Sequence, residues 1–80
     1  MTLKAPLRYD FDLVRMSEGL RLKSEALPIS IFSRHDPQTR LLERLIPMVR
    51  RHVRYARGMG VKRCGLVVKG ARVSCYIYPV

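Results

Sequence analysis

The middle of the chain has the hydrophobic spacing of an amphipathic helix. Between residues 36 and 59, apolar side chains recur at about 100° per residue and so share one side of a helix: Leu41, Leu42, Leu45, Ile46, Met48, Val49, Val53 and Ala56. The opposite side carries mainly arginines, with Glu43 as the single acid among them: Arg40, Arg44, Arg50, Arg51, Arg54 and Arg57. This division predicts a helix that buries one face and exposes the other to water.

Both ends of this helix are marked in the sequence. Asp36 is a favourable N-cap residue, and Pro37 suits the first helical position. Gly58 and Gly60 predict the end, and the late arginines interact favourably with the negative end of the helix dipole.

Pro47 interrupts the helical pattern on the arginine side. It removes the hydrogen bond that its nitrogen would donate to Glu43, and its ring crowds that turn. One interpretation is a single helix that bends around the core with its convex side toward water. The alternative is two short helices, 37–45 and 48–57. The unbroken apolar stripe favours the single helix.

The N-terminal part of the chain alternates between apolar and polar residues. After a terminus expected to fray (1–6), one face carries Leu7, Tyr9, Phe11 and Leu13, and the other carries Arg8, Asp10 and Asp12. This period of two predicts a half-buried strand.

Residues 17–32 are predicted to continue the sheet. Ser17, Glu18 and Gly19 indicate a hairpin turn, and residues 20–26 indicate a second strand. The alternative for 17–27 is a short helix that Ser17 caps and Pro28 ends. Residues 28–32 predict a short edge strand next to a proline.

The C-terminal residues predict a second hairpin, turning at either Lys69-Gly70 or Gly70-Ala71. Both turns give the same inward face: Cys64, Leu66, Val68, Ala71, Val73, Cys75 and Ile77. The outward face is then Arg63, Val67, Lys69, Arg72, Ser74, Tyr76 and Tyr78.

The chain has two cysteines, and a turn at Lys69-Gly70 would place Cys64 directly opposite Cys75. We interpret the two cysteines as small buried thiols rather than a disulfide, and two thiols do not make a structural zinc site.

These elements predict a single small α+β domain over residues 1–80. Its antiparallel sheet would have four or five strands in the order ββ(β)–α–ββ, with the long Arg-rich helix packed on one face.

The charge of the chain indicates a polyanionic partner. Sixteen Lys and Arg against six Asp and Glu give a formal net charge of +10. Such an excess favours nucleic acid or an acidic protein surface. No apolar run approaches the roughly 20 residues of a membrane span, and no secretory signal is recognisable, so we expect a cytoplasmic protein with no membrane partner. The strand edges also allow a homodimer.

No motif indicates catalysis on a small molecule. The chain has no Gly-rich phosphate loop, no nucleophile motif and no histidines at metal-ligand spacing, so we expect no small-molecule substrate, metal or cofactor. His52 is interpreted as a core histidine.

The candidate binding residues are the helix arginines together with the outer hairpin face. Arginines bind phosphate, and exposed tyrosines stack on unpaired bases. If the helix covers the inner face of the sheet, the tyrosines lie on the far side from its arginines. The candidates are Arg40, Arg44, Arg50, Arg51, Arg54, Arg57, Arg63, Lys69, Arg72, Tyr76 and Tyr78.

Three function classes follow from this pattern. The favoured one is a non-enzymatic, regulatory nucleic-acid-binding or polyanion-binding protein. The first alternative is a phage-type inhibitor that docks on an acidic surface of a host complex. The second is a small ribonuclease toxin that uses Arg72, Tyr76, Tyr78 and His52 for proton transfer and phosphorane stabilisation.

Overall fold

The sheet and helix predicted from the sequence are both present. The computed structural model describes residues 5–80, so most of the expected frayed terminus lies outside the described residues. In chain order the elements are β1 (Leu7–Met16), β2 (Gly19–Lys23), β3 (Ser30–Ser33), α1 (Gln38–Ala56), β4 (Val61–Lys69) and β5 (Arg72–Pro79). The strands form one antiparallel sheet in the order β3-β2-β1-β5-β4. The predicted α+β fold is confirmed, and its sheet has five strands.

One hydrophobic core lies between α1 and the sheet. Four helix residues at spacings of four are fully buried: Leu41, Leu45, Val49 and Val53. They join the inward residues of the strands, including Phe11, Leu22, Val73 and Ile77. The buried stripe is narrower than predicted, because Met48 is 37% exposed and Ala56 is also exposed. A helix on a single sheet needs only one row of contacts, and its flanking rows reach water.

The helix runs without a break through Pro47, so the two-helix alternative is wrong. Pro47 is exposed on the solvent side, where water can reach the carbonyl that its ring leaves without an amide donor.

The predicted N-cap of α1 is wrong by one residue. Pro37, in extended conformation, occupies the N-cap, and its carbonyl accepts the first helical hydrogen bond, from the Arg40 N–H at 3.0 Å. Asp36 lies one residue before the N-cap, and its backbone N–H donates a hydrogen bond to Ser33 Oγ at 3.0 Å. At the other end, Ala56 is the last helical residue and Gly58 adopts a φ of 63°.

Residues 19–23 form a strand, so the short-helix alternative for 17–27 is wrong. The strand ends before Ala26, because Ser24 starts a bend. Its Oγ accepts hydrogen bonds from the backbone N–H groups of Ala26 and Leu27 at 3.2 and 3.3 Å. This bend leads Leu27 into the core, and the short edge strand β3 follows as predicted.

The second hairpin turns at Gly70-Ala71, because Lys69 pairs with Arg72. Cys64 therefore lies opposite Ile77, and Cys75 lies opposite Leu66. The direct Cys64–Cys75 pair that the other turn implied is not formed, and both thiols are free. The inward face is otherwise kept, except that Ala71 is exposed in the turn and Val68 is 40% exposed next to it.

Candidate nucleic-acid-binding surfaces

Five arginines of α1, together with Arg57 at its C-cap, form one exposed surface, which we call the helix arginine face: Arg40, Arg44, Arg50, Arg51, Arg54 and Arg57. Burial of Leu41, Leu45, Val49 and Val53 turns this surface away from the core. Arg44 lies 3.9 Å from the Asp36 carboxylate, which is itself on the surface. Within residues 5–80, the other five arginines have no ion-pair partner. Their charges are therefore available to an external anion.

A groove runs beside the C-terminal half of the helix arginine face. Its volume is about 700 Å³, and it lies between α1 and the start of β4. Arg50, Arg51 and Arg54 line it, together with Tyr55 and the apolar side chain of Val61. The groove thus combines three cations, one aromatic ring and an apolar wall.

Tyr55 is the functional candidate that the sequence analysis missed. Its side chain is 75% exposed, and the Arg54 guanidinium carbon lies 5.7 Å from the ring centroid. The signal was present in the sequence, because Tyr55 follows Arg51 by four residues and so shares the arginine side of the helix. An aromatic ring on the wet side of a helix has no role in the core.

The sheet surface away from the helix, which we call the outer sheet face, carries the remaining candidates: Arg63, Lys69, Arg72, Tyr76 and Tyr78. Strand alternation places them opposite the buried Val73, Cys75 and Ile77. The guanidinium of Arg63 stacks on Tyr78, with its central carbon 4.3 Å from the ring centroid. Two further groups on this face were not among the predicted candidates. Arg8 lies opposite Tyr76 in the register of β1 and β5, and the guanidinium of Arg21 lies over the ring of Phe32.

Carboxylates compensate part of the positive charge on the outer sheet face. Arg8 Nε donates to Asp10 Oδ1 at 3.0 Å, and Arg72 lies 3.7 Å from Asp12. Ser74 Oγ donates a hydrogen bond to the same Asp10 oxygen at 2.7 Å. This bond, followed by the one from Arg8, lowers the pKa of Asp10, so the carboxylate stays charged at neutral pH. A polyanion approaching this face meets fixed negative charge.

The structure does not bring all the predicted site residues together. The helix arginine face and the outer sheet face lie on opposite sides of the sheet, as the sequence analysis anticipated for a helix on the inner face. His52 is half-buried on the helix side, where its ring meets Tyr9 edge-on at 6.1 Å between centroids. Arg72 and Tyr76 lie on the other side of the sheet, so the four residues considered for RNA cleavage do not form one site.

The two thiols differ in burial and in ionisation. Cys75 is fully buried, and this burial, together with the proximity of Cys64, raises its pKa to about 12. Burial also raises the pKa of the half-buried Cys64, although the charge of Arg50 opposes the rise. Because the thiolate is the reactive form, both thiols are less reactive than a free cysteine, and Cys75 much less so.

We expect a haloacetamide reagent at mildly alkaline pH to alkylate Cys64 slowly and to leave Cys75 unmodified in the folded protein. The rate should rise with pH, because deprotonation of a thiol with a raised pKa needs a higher pH. Peptide mass spectrometry before and after unfolding in urea checks this, since both cysteines should react fully once unfolded. Equal labelling of the two thiols in the folded chain would contradict the burial of Cys75.

Two classes of feature are absent from the part of the chain that is described. Residues 5–80 contain no cluster of three His, Cys, Asp or Glu side chains arranged to hold a metal ion. None of their helices is long and apolar enough to cross a bilayer.

The sheet ends in two edge strands, β3 and β4. The longer one, β4, has nine residues and exposes Val67 and Val68 at 43% and 40%. An edge of this length is a template for pairing with another strand. The homodimer through a sheet edge stays a prediction.

No protein-family model, curated protein or solved structure matches this chain.

Proposed function

We propose that this protein is a non-enzymatic, cytoplasmic nucleic-acid-binding protein that holds the phosphate backbone on its helix arginine face. The observation that carries the proposal is the set of exposed arginines in the helix arginine face, five of which have no carboxylate partner within the described residues. Guanidinium groups bind phosphate through paired N–H donors, which suits this composition.

Unpaired cations on one helix also repel one another. A bound polyanion removes this repulsion and releases the counterions condensed on the nucleic acid, which makes binding favourable and dependent on salt. The helix backbone that carries these arginines is anchored by four buried residues, so binding has to order the arginine side chains but not the helix.

The outer sheet face supports the proposal less well. It carries exposed basic residues, but Asp10 and Asp12 pair with Arg8 and Arg72 there. Binding at this face would have to break those pairs or bring phosphate close to two carboxylates. We therefore place the primary contact on the helix.

A titration of labelled RNA and DNA at several salt concentrations tests the proposal. If the five unpaired arginines each meet a phosphate, the slope of log affinity against log salt should be about −3 to −5. Fluorescence anisotropy with short strands and duplexes measures this slope. Binding without a salt slope, or no binding at low salt, would refute nucleic acid as the partner.

An acidic protein surface is the second candidate, and the exposed β4 edge favours it. A partner strand paired along β4 would cover Val67 and Val68. The arginines near β4 would then form ion pairs with carboxylates of the partner protein. A pull-down from nuclease-treated lysate separates the two candidates. A stoichiometric protein that stays bound after nuclease, combined with a flat salt titration on nucleic acid, would favour the protein partner.

A further inference from the structure

The groove beside α1 combines features that duplex binding does not require. An arginine helix that reads a duplex must protrude so that it can enter the major groove, which is about 12 Å wide. Here Arg50, Arg51 and Arg54 instead line a concavity between the helix and the start of β4. A concave surface lined by cations suits a single nucleic-acid strand, which is narrow enough to lie inside it.

Tyr55 adds a contact that phosphate does not use. Its ring is 75% exposed, and the Arg54 guanidinium approaches it at 5.7 Å. An aromatic ring at this position offers a flat surface to another flat, electron-poor group. Among the components of nucleic acid, only a base has that shape, and a base stacked inside a duplex already has both faces covered.

We infer that the groove binds single-stranded nucleic acid, with phosphates on Arg50, Arg51 and Arg54 and an unpaired base stacked on Tyr55. This inference rests on the proposed function and specifies its substrate. Pro47 and Val61 also line the groove and supply its uncharged part. Arg54 beside the ring adds a cationic contact to the stack.

The stacking residue can be changed without disturbing the fold. Tyr55 is absent from the core and lies on the exposed side of α1, and leucine is a better helix former than tyrosine. Tyr55→Leu keeps apolar bulk but removes the aromatic face, whereas Tyr55→Phe keeps the face. Tyr55→Phe is therefore the matched control, because it changes the same position and keeps the ring.

The probes are a short oligothymidylate, an abasic strand with the same number of phosphates, and a duplex of the same length. For the unmodified protein we expect oligothymidylate to bind about 5- to 100-fold more tightly than the abasic strand. Tyr55→Leu should bring that ratio to about one, while Tyr55→Phe should keep it. Circular dichroism confirms that each variant is folded.

The outcomes separate this inference from the function on which it rests. Failure of the proposed function would appear as the absence of salt-dependent binding to all three probes. The inference alone is overturned if the probes bind with a salt slope but Tyr55→Leu leaves every affinity unchanged. It is also overturned if the duplex binds more tightly than the single strand.

Discussion

Replacing Gly19 by alanine is expected to destabilise the fold by about 2–4 kcal/mol, a large share of the roughly 4–12 kcal/mol typical of a chain of this length. Gly19 begins β2 with a φ of 154°, which L side chains rarely adopt. A β-carbon there would lie 2.8 Å from the Arg34 Cα and still closer to the Ser33 carbonyl oxygen. Both are backbone atoms, so the clash moves the end of β3 rather than a flexible side chain.

Gly65→Ala is the matched control for this prediction. Gly65 lies within β4, has no atoms within 4 Å of the site of a β-carbon, and adopts no positive φ. The same substitution should change stability there by less than about 1 kcal/mol, because only the entropy of the unfolded chain differs. Urea unfolding followed by circular dichroism compares the two variants. A Gly19→Ala protein as stable as Gly65→Ala would contradict the close passage of β3 behind the first hairpin.

The elements predicted correctly are those set by local periodicity. The alternation from Leu7 to Leu13 and the four-residue spacing from Leu41 to Val53 each determine which face of the element is apolar, whatever lies opposite. A helix with one apolar side and a sheet with one apolar face bury both surfaces when they pack against each other. The α+β architecture follows from those two patterns.

The details that the sequence analysis missed depend on contacts between distant or competing residues. Asp36 is an acceptable N-cap by itself, but its backbone N–H is bound to Ser33 Oγ and the N-cap lies at Pro37. The second hairpin permits two turns with equal sorting of faces, so local pattern alone does not choose Gly70-Ala71. The turn shows only in the register of β4 on β5, in which Lys69 pairs with Arg72.

Only part of the candidate site was predicted, because the rest also depends on contacts between distant residues. The helix arginine face lies on one element and can be read from spacing alone. The outer sheet face, in contrast, is modified by the pairs Arg8–Asp10 and Arg72–Asp12, the second of which joins residues far apart in the chain. The groove at Tyr55 also depends on how β4 returns beside α1. Periodicity within the helix contains no information about that return.

The function proposed here predicts a large loss of affinity when the groove cations are removed. The triple variant Arg50→Gln, Arg51→Gln and Arg54→Gln should reduce the salt slope by about 2–3 and weaken binding about 100- to 1,000-fold at low salt. Glutamine is a good helix former of similar length, and none of the three arginines has an ion pair within residues 5–80, so the fold should be unaffected. Anisotropy titrations against a short single strand measure both quantities.

A triple variant on the other side of the sheet distinguishes a local site from general attraction. Substituting glutamine for Arg63, Lys69 and Arg72 removes the same number of charges, three, from the outer sheet face. At 0.01 M salt the screening length is about 30 Å, so attraction through net charge alone should weaken by the same amount in both triple variants. Direct phosphate contacts depend on the position of each charge. If the site lies on α1, the triple variant on the helix (the helix triple) should lose at least about tenfold more affinity than the triple variant on the outer sheet face (the sheet triple). Equal losses would mean that the chain attracts polyanions through its net charge alone, and a larger loss in the sheet triple would move the site to the outer sheet face.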